Sequence, residues 1–197
     1  MGNAPSHPVR LLGISGSIRR GSYCTAVLRS LQENMRPSTH MTIFALDRIP
    51  PYNEDEDGDS PPSPVAELRA AIVAAEALVV ISPEYNHGMS GLLKNAIDWV
   101  SRPGYASILK DKPVSIMTAG PSMLGGVRAQ AQLRETFAAT VSRVMANRQV
   151  VIGEAARKVV DGRLIDRPTL DFALSAVDLL LEEAVALRAK RTAHQSV

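Results

Sequence analysis

The stretch Ala77-Leu78-Val79-Val80-Ile81-Ser82, closed by Pro83 and followed by the helical pattern of Gly91–Arg102, decides the fold of this chain. An unbroken apolar run rich in β-branched residues, ended by Ser-Pro, suits a strand buried on both faces. In the segment beyond it, Leu92, Leu93, Ala96, Ile97 and Val100 recur at the three-and-four spacing of an amphipathic helix. A doubly buried strand that feeds such a helix is the repeating unit of a parallel sheet.

The same unit recurs outward from this centre. Val9–Ile14 reads as a first strand and Ser22–Asn34 as a helix with Ser22 at its N-cap. Met41–Leu46 reads as a second strand, Asp47–Pro64 as a polar surface loop and Ser63–Glu76 as a second helix. On the other side lie a fourth strand, Pro113–Ala119, a long helix, Val127–Met145, and a short fifth strand, Val150–Ile152. Val159–Ile165, broken at Asp161-Gly162, suggests a small hairpin. A last helix covers Thr169–Lys190, with Pro168 at its start and a basic final turn. Five strands alternating with five helices predict an α/β fold, a doubly wound five-stranded parallel sheet with helices on both faces. All 197 residues are expected to form a single domain, with 1–8 a flexible leader and 191–197 a flexible polar tail.

Composition narrows the class. The chain carries 22 Lys+Arg against 20 Asp+Glu, a net charge of +2, which argues against a nucleic-acid binder. Five of those acids, Glu54, Asp55, Glu56, Asp57 and Asp59, crowd one loop, so the remainder is more basic than the total suggests. The single cysteine, Cys24, excludes an intrachain disulfide and a cysteine-rich zinc site, and no metal is expected. No apolar run approaches the ~20 residues that span a bilayer, and the N-terminus has the character of no signal peptide. A cytoplasmic protein without membrane association is expected.

In doubly wound sheets ligands sit beyond the carboxyl ends of the strands. Three loops therefore matter. The first, Gly13-Ile14-Ser15-Gly16-Ser17-Ile18-Arg19-Arg20-Gly21-Ser22-Tyr23-Cys24, fits neither a dinucleotide fingerprint nor a Walker A loop nor a nucleophile elbow. It does bring Ser15, Ser17, Ser22 and Arg19 to a helix N-terminus, a donor set suited to a phosphate monoester. A plain Gly/Ser connection bearing a surface arginine is the other reading. Cys24, near Arg19, stands either as an acidified thiol or as a small packing residue, the latter being preferred.

The run Gly16-Ser17-Ile18-Arg19-x-x-Ser22 resembles the G-S-x-R-x-x-S-x-N phosphate loop of the NAD(P)H-dependent FMN reductase family, with Cys24 in place of the final Asn. The loop after the third strand is more specific: Pro83-Glu84-Tyr85-Asn86-His87-Gly88, continuing into Leu93-Lys94-Asn95-Ala96-Ile97-Asp98-Trp99, resembles that family's P-E-Y-N-x-G and L-K-N-A-I-D-W signature. The loop after the fourth strand, Ala119-Gly120-Pro121-Ser122-Met123-Leu124-Gly125-Gly126-Val127-Arg128, resembles the family's third loop. The resemblance spans roughly Val9 to Gln149 and implies a flavodoxin-like fold.

It further implies FMN held by Ser15, Ser17, Arg19, Ser22, Tyr23, Cys24, Pro83, Glu84, Tyr85, Asn86, Ala119 and Gly120. Substrate would meet His87, Gly125 and Arg128, and Arg128 would face either an NADPH phosphate or a subunit partner. Glu84 is expected to point away from the flavin or to make a structural hydrogen bond. Trp99 is expected in the core, and Lys94, Asn95 and Asp98 at a subunit interface or in solvent. The implied activity is hydride transfer from NAD(P)H through the flavin to quinone, azo, chromate or flavin acceptors by a ping-pong mechanism. No side chain is assigned as catalytic. A homodimer or homotetramer is implied, with the apolar helix after Gly91 as an interface element. A non-enzymatic flavodoxin-like electron carrier is the alternative.

Overall fold

A computed structural model describes residues 7–195. The central strand, β3 (Ala77–Ser82), is buried along its whole length. It lies between β1 (Val9–Ser15), paired through Leu11↔Ala77 to Ser15↔Ile81, and β6 (Pro113–Ala119), paired through Leu78↔Val114 to Ser82↔Thr118. Strand β2 (Thr39–Phe44) flanks β1 on the far side. All these pairings are parallel, and the sheet order β2-β1-β3-β6 reverses direction at β1. That reversal opens a crevice beyond the carboxyl ends of β1 and β3.

Beyond β6 the fifth position is shared by two short strands, giving a six-stranded sheet. Strand β7 (Arg143–Val144) pairs with the start of β6, and β8 (Val150–Ile152) pairs with its end. The expected long helix therefore stops early. Helix α4 (Val127–Ala139) ends where Val141 turns left-handed, at φ 60°. There the Val141 N–H bonds to the Ala138 carbonyl and the Ser142 N–H to the Phe137 carbonyl. This double closure satisfies the last carbonyls and turns Arg143–Val144 out into the sheet.

Alternate strand residues point to opposite faces. Leu11, Val79 and Ile81 pack with Val27 and Leu31 of α1 (Tyr23–Asn34) and with Val177 and Leu180 of α6 (Arg167–Gln195), which follows the one-turn α5 (Ala155–Lys158) in the chain. Leu12, Leu78 and Val80 pack with Leu68 of α2 (Ser63–Ala74), Trp99 of α3 (Gly91–Val100) and Phe137 of α4. Ser22 caps α1, its Oγ accepting from the Thr25 N–H at 3.2 Å. The hairpin of β9 (Val159–Val160) and β10 (Arg163–Leu164) turns through Asp161 and Gly162, both at positive φ. Helix α6 runs to Gln195, past the expected Lys190 boundary, so the described part of the expected tail is helical. Residues 1–6 of the expected leader and 196–197 of the tail lie outside the described residues.

The base of the sheet is tied by charge. Arg188 of α6 forks onto Glu76, with Nε at 2.6 Å from Oε1 and Nη2 at 2.7 Å from Oε2. Lys112 is buried and its Nζ donates to the carbonyls of Ile72 (2.9 Å) and Ala75 (2.6 Å), closing the C-terminus of α2. Burial and then repulsion from Arg191 and Arg10 push its ammonium down to about 8 from the usual 10.5, against the pull of Glu76. Between those values the unfolded chain binds the proton and the folded chain does not, so this group makes stability rise with pH across that window. The urea-unfolding stability of the parent should therefore gain on that of Lys112→Met from pH 8 to pH 10. A difference independent of pH would refute this.

The helix of the Leu93–Trp99 signature has an outcome of its own. Leu93, Ala96, Ile97, Trp99 and Val100 are all buried within the chain, so its apolar face is taken up by the core. Its outer face carries the Lys94–Asp98 ion pair at 2.7 Å. Asn95 is half-buried and bonded within the chain: its Oδ1 accepts from the Tyr52 N–H at 2.7 Å and its Nδ2 donates to the Pro50 carbonyl at 2.8 Å. The loop before α2 is thus clamped to α3.

Candidate functional site

A cavity of about 520 Å³ lies over the carboxyl ends of β1, β3 and β6, and the three loops singled out by sequence build it. From the first loop come Ser17, Arg19, Ser22, Tyr23 and Cys24. Arg19 is exposed, and its guanidinium lies 5.0 Å from the centroid of the Tyr23 ring. Among the described residues no carboxylate pairs with it, so its charge is unneutralised beside the N-terminus of α1. Cys24 is fully buried at the floor, with Sγ 3.9 Å from the Ala119 carbonyl. Burial pushes its thiol up to about 12, overriding nearby Arg19. The packing reading holds, and the thiol stays protonated at neutral pH.

Ser15 does not reach the cavity wall. Its Oγ accepts from the Thr25 hydroxyl at 3.0 Å and donates to the Ser17 carbonyl at 3.1 Å, so it shapes the loop from behind. Gly16 sits in a tight spot: a Cβ there would lie 3.0 Å from Ser90 Oγ and 3.1 Å from Ser82 Oγ, so a side chain would push these serines aside.

The second loop is more ordered than a plain connection. β4 (Glu84–Tyr85) and β5 (Gly88–Met89) form an antiparallel hairpin across a two-residue turn, Asn86 at φ 50° and His87 at φ 68°. Two left-handed residues give the turn type that suits hairpin twist, and Asn and His tolerate it better than most. Pro83, Glu84 and Tyr85 line the cavity, and Tyr85 is 56% exposed. Asn86 is occupied with the turn and stands off the walls. The hairpin is pinned to α4 at both ends. The Glu84 carboxylate accepts from the N–H groups of Arg128 (2.9 Å) and Ala129 (3.3 Å), which is the structural role expected of it. At the other end the Met89 N–H donates to Gln132 Oε1 at 2.7 Å, and a Cβ on Gly88 would come within 2.5 Å of that oxygen. Replacing Glu84 by Ala should remove this cap and cost about 0.5–2 kcal/mol, read as a lower midpoint in thermal unfolding. An unchanged midpoint would refute the capping role.

The third loop supplies Ala119, Gly120, Pro121, Ser122 and Gly126. The sequence reading assigned the first two and missed the rest, although their place in the same Gly/Pro/Ser loop was the available signal. Gly125 corrects an expectation. Its missing side chain leaves no room for a ligand, because a Cβ there would meet Gly153 N at 2.5 Å. Gly125 is instead where the loop backbone packs on the segment after β8. His87 and Arg128 are off the cavity walls but adjoin them, with Arg128 Nη1 at 2.8 Å from His87 Nε2.

A cavity at the reversal point of a parallel sheet, with a free cation at one corner and an aromatic wall, defines a flavodoxin-like nucleotide-binding protein. Comparison with solved structures agrees. The flavoenzyme NAD(P)H:(acceptor) oxidoreductase FerB of Paracoccus denitrificans superposes with a TM-score of 0.80 at 27% identity, covering 90% of this chain and 98% of that one. A flavodoxin of Pseudomonas aeruginosa shares the fold, with a TM-score of 0.56 at 17% identity, covering 86% of this chain and 99% of that one.

The chain belongs to the NADPH-dependent FMN reductase family, whose model matches residues 9–157. It is 38% identical over 162 residues to an NAD(P)H-dependent FMN reductase of Pseudomonas aeruginosa, covering 82% of this chain and 87% of that one. It is 34% identical over 172 residues to a quinone reductase of Escherichia coli K12, covering 84% and 90%. The protein is thus a flavin-dependent oxidoreductase whose cofactors are FMN and NAD(P)H. No helix among the described residues is long and apolar enough to cross a membrane.

Proposed function

We propose that this protein reduces quinones and related small two-electron acceptors, such as azo compounds, chromate or free flavin, at the expense of NAD(P)H, by a ping-pong mechanism in the cytoplasm. The observation that carries the reading is the union, in one cavity, of the unpaired Arg19 corner with an apolar, partly aromatic wall. Those residues fit FMN. Ser17, Ser22, Arg19 and the first turn of α1 offer donors and positive charge to its phosphate. Tyr23 and Cys24 lie beside that corner, Pro83 and Tyr85 offer the ring a flat wall, and Ala119 and Gly120 offer backbone groups to its edge.

Bound FMN supplies the hydride acceptance and release that the reaction needs. The chain's own part is to hold, orient and shield. Cys24 stays protonated and offers no nucleophile. Glu84, engaged at α4, keeps its carboxylate with that helix. Alternation of donor and acceptor at this one cavity is part of the same proposal. Quinone as acceptor is supported by the E. coli relative, and assembly as a homodimer or homotetramer is part of the same proposal.

Anaerobic mixing tests it. The FMN-loaded protein should bleach with NADPH and regain its colour on adding a quinone, with parallel double-reciprocal lines in the steady state. A flavin that NADPH fails to bleach would make the protein an electron carrier, and intersecting lines would overturn the ping-pong order.

A further inference from the structure

The tip of the third loop has a composition that its backbone does not call for. Ser122 to Gly125 form a four-residue turn, closed by the Gly125 N–H donating to the Ser122 carbonyl at 3.1 Å. The two central residues are Met123 and Leu124. Gly, Pro, Asn, Asp and Ser are favoured in turns because they suit the backbone there and tolerate water. Met123 is instead 81% exposed and Leu124 48%.

The tip is also held where it stands. The Glu154 N–H donates to the Ser122 carbonyl at 2.9 Å, and the Ala155 N–H to the Gly120 carbonyl at 3.0 Å. The Gly120 N–H donates in turn to the Ile152 carbonyl at 3.1 Å. Met123 directly follows the wall residue Ser122, and Leu124 precedes the wall residue Gly126 by two. The other two loops match this arrangement. Ile18 is exposed between the wall residues Ser17 and Arg19, and Tyr85 is both wall and exposed. A single exposed apolar side chain is ordinary on a protein surface. Here each of the three loops that wall one cavity carries at least one. A substituent that leaves the cavity along any of them meets apolar surface.

We propose that Met123 and Leu124 form an apolar acceptor subsite at the cavity mouth, which receives the hydrocarbon substituent of a quinone and favours alkyl-bearing over bare rings. The inference rests on the quinone-reductase reading above. Hydride transfer requires contact between the quinone ring and the flavin, so a substituent on that ring is the part left to reach the mouth. An alkyl chain laid on Met123 and Leu124 removes apolar surface from water on both sides. The unbranched thioether of Met123 adapts to chains of differing shape. A bare ring or a small oxyanion such as chromate gains nothing from this surface.

Turnover of the FMN-loaded protein tests it, comparing a benzoquinone that bears a decyl chain with the same ring bearing hydrogen in its place. The parent should favour the decyl quinone in kcat/KM. The double variant Met123→Ser/Leu124→Asn carries residues that a turn accepts, and it should cut that preference about fivefold to twentyfold. Met123→Leu, still apolar, should keep most of it. No preference in the parent, or equal losses for both quinones in the double variant, overturns the proposal. A loss that tracks dissociation of an oligomer in sedimentation gives the tip to a subunit contact and overturns it as well. If both quinones restore the bleached flavin without preference, the reductase reading stands and the subsite falls. If NADPH does not bleach the flavin, that reading falls, and ultrafiltration of the oxidised protein with each quinone still decides the subsite. Tighter retention of the decyl quinone by the parent, lost in the double variant, supports it, and equal retention overturns it.

Discussion

Arg19→Ala should release FMN about tenfold to a hundredfold more readily than the parent. The guanidinium sits at the mouth of the α1 N-terminus with no carboxylate partner among the described residues, so its charge is directed to an incoming anion. A hydrogen bond to a charged group is worth about 1.5–3 kcal/mol. Two compensations are available, since Ser17 and Ser22 remain and the helix dipole is untouched, and they set the lower end of the range. Quenching of flavin fluorescence on titrating the apoprotein measures the effect. Arg19→Lys, which keeps the charge without the fork, should fall between. Equal affinity in Arg19→Ala and parent would remove the phosphate from this corner. The fold should be indifferent to the change, because the side chain is exposed and lies over the Tyr23 ring and Gly21 at the surface.

Trp99→Ala should have the largest effect on stability, about 3–5 kcal/mol. Trp99 is fully buried, meets Tyr52 edge-on with centroids 5.0 Å apart, and donates from Nε1 to the Pro50 carbonyl at 2.8 Å. Truncation opens a cavity in the sheet face that holds α2, α3 and α4, and frees one anchor of the loop before α2. Trp99→Phe keeps most of the packing and loses the hydrogen bond, so it should cost about 1–3 kcal/mol. Far-ultraviolet circular dichroism in urea is the suitable probe, since Trp99 is the chain's only tryptophan. Trp99→Phe should leave FMN affinity at the parent value, because the ring lies on a face of the sheet and not in the cavity. A Trp99→Ala midpoint equal to the parent's would contradict its place in the core.

The central elements were legible because burial on both faces writes an unbroken apolar run. Ala77–Ser82 carries one up to its closing serine, Pro113–Ala119 a run interrupted only by the buried Ser115 and Thr118, and both were placed to the residue. The cap at Ser22 was legible for a local reason: its hydroxyl serves an N–H only three residues on. Where the outcome depended on distant neighbours, the signal vanished. β7 is too short to show a period, whereas β8 was placed to the residue, and Val141, a β-branched residue, gives no hint of a left-handed helix end. The β4–β5 hairpin turns on Asn-His and not on the usual Asn-Gly. For Cys24 the sequence left an acidified thiol open beside the preferred packing role, and burial from residues far along the chain decided for packing. Asp57 belonged on paper to an acidic surface stretch. In the fold it pairs with Arg69, which also holds the Trp99 carbonyl at 2.8 Å, and its side chain is 5% exposed.

The same dependence on distant neighbours governs how the cofactor is acquired. Ser17, Tyr85 and Ser122 face one cavity, yet they hang from three strands whose pairing must be complete before any of them meet. The phosphate corner comes from the first loop alone, but the walls that would hold the ring come from the other two, so the complete site exists only in the assembled sheet. Loading is therefore an event that follows assembly of the sheet, and occupancy draws on the cooperativity of the entire β1-β3-β6 core. FMN, binding only the finished product, acts as a thermodynamic lock on it: each tenfold excess over its dissociation constant adds about 1.4 kcal/mol against global unfolding.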